Sequence, residues 1–506
     1  MKKEVQKTRS ADEGHPISID EIIALIGQHF DYALDTGNPS YINRGIAMAE
    51  GINEGDCSAQ QRITLHYFLS NGWFSLQGFQ QVHLDADWTL GRTEMTRGLF
   101  HLRKCIAISE FQHAQKELRC EVYTNLGNHF SHVGQFIEAI QYWRKALEII
   151  PTFAMAMGNM GMGLYRYSSA QHLDKHRSIF VHQAYQWLKS GYALKKSIHP
   201  FAAREFSKLI KMIEKSWPEE FLAREMDFSF ALGKQRKLRE YREWGLTNGL
   251  YLNPLNDLGA LELASHDCLH LPAMTVGLDE RPKYHSLYNQ LKQEYGTARF
   301  LFYEGTQHPA RSYSDKDIKL VDTLDYADYS FNLEKVKIAY RLIYSIFDKV
   351  AYFLNDYLSI GIPVNQISFR VLWHEDRKGE ILRPKFSGSS NLALKALYWL
   401  SRDLFDKGSS QELLEPEAKE LADIRNHIEH RSFKIKQYGN WGEIEDGFTF
   451  AIGREEFELK TLKQLKMARA ALIYLSLAIH EEEKHRVKNG HTIPYLLPNL
   501  RQDYKI

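Results

Sequence analysis

Tyr123-Thr-Asn-Leu-Gly-Asn-His-Phe-Ser-His-Val-Gly-Gln-Phe-Ile-Glu-Ala-Ile-Gln-Tyr-Trp-Arg-Lys-Ala-Leu-Glu-Ile-Ile-Pro151 reads as two helices joined by a tight turn. Tyr123, Leu126 and Phe130 recur at helical spacing in the first half, and Ala139, Trp143 and Ala146 do so in the second. Gly127 and Ala139 are small where two helices would cross, and Pro151 ends the second helix before another unit begins.

These positions resemble a tetratricopeptide (TPR) repeat at Tyr123, Leu126-Gly127, Phe130, Ala139, Trp143, Ala146 and Pro151. A second unit starts in register, with Met157, Met160-Gly161 and Leu164 each 34 residues further on. Its second helix is expected to resume around Ala184 and Leu188, which leaves Ser168 to His176 as a loop insertion. Upstream, Ile63 to Trp73 with Glu94 to Ile108, and Ile22 to Leu34 with Tyr41 to Glu50, read as two degenerate hairpins. Such an array is a scaffold whose concave face holds a peptide, a protein partner or another part of the same chain.

Working outward, 506 residues with 44% hydrophobic and 25% charged side chains supply two or three folded domains rather than a disordered chain. Lys plus Arg is 64 against 63 for Asp plus Glu, so any nucleic-acid binding must come from a local patch. Four scattered cysteines without a C-x-x-C pair exclude a disulfide scaffold and a thiolate zinc site, and fit a reducing cytoplasm. The charged amino terminus does not read as a secretory signal, and the uncharged run from Ile149 to Tyr165 is broken by Pro151 and glycines, so no membrane span is expected.

The expected organisation is a TPR-like helical region over 1–215, a connecting segment over 216–283 and a helical bundle over 284–490, all-α apart from a small β-hairpin. Asn332 is expected to cap a helix from Leu333 to about Leu358, Asn391 another through Phe405, and Pro416 to open a third reaching about Phe433. Gly447 to Gly453 alternates like a strand and is expected to pair as a hairpin with Phe433 to Tyr438. A last helix, roughly Glu455 to Lys488, ends at Asn489-Gly490.

Common catalytic motifs are missing: the sequence has no G-x-x-x-x-G-K-[ST], no G-x-G-x-x-G after a strand, no G-x-S-x-G and no H-E-x-x-H. What stands out is Ile424-Arg425-Asn426-His427-Ile428-Glu429-His430-Arg431. Three arginines precede a histidine by five residues: Arg177 with His182, Arg425 with His430, and Arg486 with His491. Only the second pair is expected on one continuous helix of the bundle.

Arg425-Asn426 followed by His430 resembles the Arg-x(4-6)-His signature of HEPN domains (higher eukaryotes and prokaryotes nucleotide-binding). Asn289-Gln-Leu-Lys-Gln-Glu-Tyr295, Thr323-Leu-Asp-Tyr326, Tyr344-Ser-Ile-Phe-Asp-Lys349 and Ala396-Leu-Tyr-Trp-Leu-Ser-Arg402 are similar to a branch of large bacterial members that carry TPR-like helices upstream. The resemblance covers about 250–488. It implies a metal-independent endoribonuclease that needs no cofactor, acts on RNA as a homodimer through the HEPN domain, and serves in toxin or antiviral defence. It also implies that an acidic or polar residue of the first bundle helix approaches the motif; Asp348, on a polar stripe with Arg341, Tyr344 and Asn355, is the candidate.

The residue types fit that chemistry. Cleavage through the 2'-hydroxyl requires proton removal, proton delivery to the leaving oxygen and stabilisation of a dianionic phosphorane. An imidazole such as His430 exchanges protons near neutrality. Arg425 presents a planar fork to phosphoryl oxygens, and Asn426, four residues before His430, shares its helix face. Five residues turn a helix by about 500°, roughly 140° net, so Arg425 and His430 point apart on one helix, and two copies about a two-fold axis would bring both types to one phosphate. His427, Arg431, Lys434 and Lys436 form a small cationic patch suited to RNA phosphates. Plainer readings stay open: Arg425 and Glu429 as a surface ion pair, His427 and His430 as two ligands of a metal, the basic run as a solvated face, and the whole chain as a non-catalytic TPR interaction or nucleotide-binding protein.

Overall fold

The structure is a computed structural model that describes residues 17–79, 92–277, 282–307, 312–324, 326–376, 379, 381–405, 418–437, 444–445, 448–486 and 492–495. The chain divides into two compact units, one comprising 1–84 with 90–126 and the other 85–89 with 127–506.

The first unit holds α1 (Ile19–Thr36), α2 (Ser40–Glu50), α3 (Ala59–Phe79), α4 (Arg92–Ala107) and the first part of α5 (Lys116–His132). Ser18 and Glu21 close a reciprocal capping box at the start of α1, with the Ser18 amide donating to Glu21 over 2.7 Å. Ile23, Ile26, Phe30, Ile42, Ile46, Leu65 and Leu69 make its core. The two upstream hairpins therefore form where the apolar spacing puts them.

In the second unit, α6 (Phe136–Ile149), α7 (Ala154–Ala170), α8 (Asp174–Ala193) and α9 (Pro200–Ser216) continue the helical hairpins. A Cβ on Gly127 would lie 2.4 Å from the indole nitrogen of Trp143, so the tryptophan packs where only glycine fits. The expected loop insertion over 168–176 is not a loop. Only Gln171, Leu173 and the residue between them separate α7 from α8, because Asp174 starts a 20-residue helix with an acidic first turn and the extra residues lengthen that helix.

After α10 (Glu219–Ala223) and α11 (Arg236–Thr247), the chain from Leu250 to Leu271 runs irregularly but largely buried before β1 (Met274–Gly277). Two buried arginines hold it. Arg299 donates to Leu250 O and to both carboxylate oxygens of Asp267 over 2.7 to 3.0 Å. Arg469 donates to Tyr251 O, Asn253 O and Asp257 over 2.5 to 2.9 Å.

The bundle consists of α12 (Lys283–Gln307), α13 (Phe331–Tyr357), the short α14 (Pro384–Ser387), α15 (Leu392–Phe405), α16 (Ala418–His430) and α17 (Arg454–His485). Asn391 caps α15 as expected, its side chain accepting from the amides of Ala393 and Leu394. Asn332 does not cap α13. Ser330 does, accepting from Leu333 N at 3.3 Å, and Asn332 is buried inside the first turn. Pro416, Asn489 and Gly490 lie outside the described residues.

Strands β2 (Ser432–Lys436), β3 (Ile444–Glu445) and β4 (Thr449–Gly453) form a sheet in the order β2-β4-β3, and β5 (Thr492–Tyr495) pairs with β1. β2 and β4 are parallel, not the two arms of a hairpin. The reason lies in their attachments: β2 leaves the end of α16, β4 runs into α17, and the antiparallel return is made by β3. Among the described residues no helix is long and apolar enough to cross a membrane.

Candidate nuclease site

Helix α16 buries Leu421, Ile424, His427 and Ile428, a face set by steps of three and four. Tyr340 of α13 donates its hydroxyl to Leu421 O at 2.8 Å, and the buried ammonium of Lys460 on α17 meets Glu420 at 2.9 Å. The helix is thus fixed from two sides, which settles where its other residues point.

Arg425 is half-buried and lies over the ring of Tyr344 on α13, its guanidinium carbon 5.2 Å from the ring centre. One turn further along α13 stands Asp348. Burial raises its carboxyl above the ordinary aspartate range, while the Phe369 amide, donating at 3.0 Å, and the charge of Arg425 pull the other way. Burial likewise pushes the Tyr344 phenol up, against the opposing influence of Arg425. Asn426 and His430 are exposed on the outer face, four residues apart.

The i, i+4 ion pair between Arg425 and Glu429 does not form. Arg341 of α13 takes Glu429 instead, 3.7 Å away, and donates a second nitrogen to Ile428 O at 2.5 Å. Among the described residues Arg425 acts on Asp348 through its charge, without a direct salt bridge between them.

The four residues expected at an RNA surface separate into two pairs. Arg431 is exposed and Lys434 half-buried. His427 is only 3% exposed, its ring packs 5.3 Å from that of Phe450, and its Nδ1 proton is donated to Asp423 O at 2.7 Å. Its position on the Leu421, Ile424, Ile428 face turns it inward, so it shares no surface with His430. Lys436, 8% exposed, sits at the end of β2, where Ala327 bridges to it. Asn355, read with the polar stripe, instead closes the end of α13 by exchanging two hydrogen bonds with Ile362.

Of the two other arginine-histidine pairs, His182 is buried on α8 and bonded to Arg224 O at 2.8 Å, and His491 lies outside the described residues. Arg341 was visible in the sequence only as part of a stripe; its hold on α16 depends on a contact between residues 87 positions apart.

Comparison with known families matches residues 275–482 to the model described as LA2681-like HEPN. That span runs from β1 through α17 and contains every residue of the site. No curated protein and no solved structure matches the chain.

Proposed function

Residues 275–482 being a HEPN domain, we propose that this protein is a metal-independent endoribonuclease whose working groups are Arg425, Asn426 and His430. The observation that carries the reading is the placement of Arg425: an arginine lying over Tyr344 and close enough to Asp348 to act on its charge, unpaired with Glu429, on the same helix as an exposed imidazole.

In this reading His430 takes the proton of the RNA 2'-hydroxyl or gives one to the departing 5'-oxygen. The 2'-oxygen attacks phosphorus, the bond to the 5'-oxygen breaks, and a 2',3'-cyclic phosphate and a 5'-hydroxyl result. Arg425 stabilises the charge that builds on the phosphoryl oxygens, and Asn426 orients the phosphate. Asp348 acts as a positioning residue for Arg425. Since Arg425 leans toward α13 and His430 faces outward, a homodimer supplies the second copy that completes the site.

The helical hairpins ahead of the bundle are proposed to sense a protein or peptide partner, in keeping with a toxin or antiviral defence role in the cytoplasm. A cleft of about 200 Å³ among α6, α7, α8 and Asp257, lined by Arg144, Met160 and Trp187, is the place for it. Purified protein incubated with total RNA in EDTA tests the reading. RNA cleavage supports it; intact RNA together with a tightly held protein partner favours a non-catalytic interaction protein.

A further inference from the structure

Ahead of α13 the HEPN domain leaves a stretch of large apolar side chains uncovered. Every residue from Lys316 to Leu324 is exposed, and Tyr313, Ile318, Leu320, Val321, Leu324 and Tyr326 are 59–85% exposed. A monomer rarely shows so much apolar surface in one place. Among the described residues the amides and carbonyls of 318–322 make no hydrogen bond, so the backbone is open along with the side chains.

The stretch is held at both ends. Asp315 accepts the Phe331 amide through both carboxylate oxygens, each at 3.1 Å, and the Asp328 amide donates at 2.7 Å to Ile435 O on β2, the strand that leaves α16. Leu324 and Tyr326 take left-handed backbone, with φ of 56° and 55°, a conformation that costs such residues energy and persists where the surrounding structure holds it. The apolar side chains are thus presented from fixed ends.

The order of charges selects what covers them. The sequence reads Asp317-Ile-Lys319-Leu-Val-Asp322, with Lys319 just before the apolar pair Leu320-Val321 and Asp322 just after it. Laid antiparallel against a second copy about a two-fold axis through that pair, Leu320 faces Val321 and Lys319 faces Asp322, each twice over. Among the described residues neither charge has an ion partner within the chain; Asp322 accepts only the Leu324 amide, at 2.9 Å. A stable interface covers about 800 Å² on each partner, and the six apolar side chains at roughly 100 Å² or more each come near it.

We propose that residues 317–322 pair antiparallel with the same residues of a second copy, joining two HEPN domains through this stretch. The inference rests on the homodimer of the ribonuclease reading and names its surface. Backbone hydrogen bonds between the two open edges supply the pairing, and the contacts of Lys319 with Asp322 set the register.

Analytical ultracentrifugation of the full chain tests it. Wild type is expected to sediment at twice the chain mass of 58.9 kDa, and Val321→Asp at the single mass with an unchanged melt, because Val321 is exposed. Lys319→Asp and Asp322→Lys are each expected to raise the dissociation constant of the dimer at least roughly fourfold, as two cross-strand pairs turn from attraction to repulsion. An equimolar mixture of these two variants is expected to recover the wild-type dissociation constant, since every facing pair is again of opposite charge. A monomeric wild type overturns the proposal together with the homodimer, while cleavage of total RNA still decides the ribonuclease reading. A wild-type dimer that none of the substitutions weakens, or whose two charge variants fail to recover on mixing, overturns this surface and leaves the homodimer standing.

Discussion

Arg425 and His430 differ in how they are held, and that difference governs what substitution does to each. His430 is exposed at the end of α16, so His430→Ala is expected to shift the melting temperature little while lowering cleavage at least ~100-fold, the usual contribution of a general acid or base. Cleavage rates and thermal melts of the purified variant check both halves. Arg425→Lys should stay strongly impaired, because an ammonium gives neither two parallel hydrogen bonds to a phosphoryl group nor a flat cation over Tyr344. Near-normal turnover in that variant would make Arg425 a point charge. For Asp348, Asn keeps an acceptor for the Phe369 amide and removes a carboxyl whose charged form burial disfavours. Asp348→Asn is therefore expected to hold or raise stability near neutral pH while lowering activity through a looser Arg425; unchanged activity would limit Asp348 to closing the loop at Phe369. At this scale the sequence singled out Arg425, Asn426 and His430 by their spacing on one expected helix together with the resemblance to HEPN domains. It also contained the signal that turns His427 inward, since residues 421, 424 and 428 already outline the buried face. The partner of Glu429 was not legible, because Arg341 reaches it from another helix.

Helices were legible as elements, and their pairings less so. Apolar spacing locates α13, α15 and α17 to within a few residues, but Ser330 rather than Asn332 caps α13, as either residue type can serve and only one lies at the turn. Alternation marks β4 as a strand without saying whether its neighbour is parallel, and the answer came from the helices at either end. Helix α16 leads directly into β2 and β4 directly into α17, so the parallel pair ties the ends of the two helices together. The α7 and α8 pair shows the converse: an insertion relative to a 34-residue repeat looked like a loop because repeat length was counted before helix length.

In the second unit as a whole, the segment from Leu250 to Leu271 joins the hairpin helices to the bundle through charges that have no water to fall back on. Arg469 and Asp257 have side chains 2% and 3% exposed and meet at 2.6 Å, with Tyr167 donating to the same carboxylate. Asp257→Ala strands a buried guanidinium, and chemical denaturation is expected to show a loss of about 3–5 kcal/mol. A second whole-unit property is acid sensitivity. His172 sits with its ring centre 5.1 Å from that of His270 and 5.5 Å from that of His480, and burial, then the neighbouring histidines, lower its pKa to about 3. His176 is lowered to about 4, again chiefly by burial. The unfolded chain binds these protons from near pH 6.5 downward and the folded chain does not, so their stabilising effect is complete above about 6.5 and is lost as pH falls toward 3 to 4. Melting temperature should decline over that interval, and more shallowly in His172→Gln. The proposed homodimer is tested at the same scale. Mixing Arg425→Ala chains with His430→Ala chains leaves one intact residue of each kind at a shared site, and partial recovery of cleavage is the expected result if one pair suffices.

The central claim is that residues of α16 cut RNA through its own 2'-hydroxyl, and analysis of the cleaved ends tests it most directly. Total RNA treated in EDTA with wild type and, in parallel, with His430→Ala should carry new 2',3'-cyclic phosphates and 5'-hydroxyls in the first sample only. New 3'-hydroxyl and 5'-phosphate ends, or cyclic ends appearing equally in both samples, would contradict it.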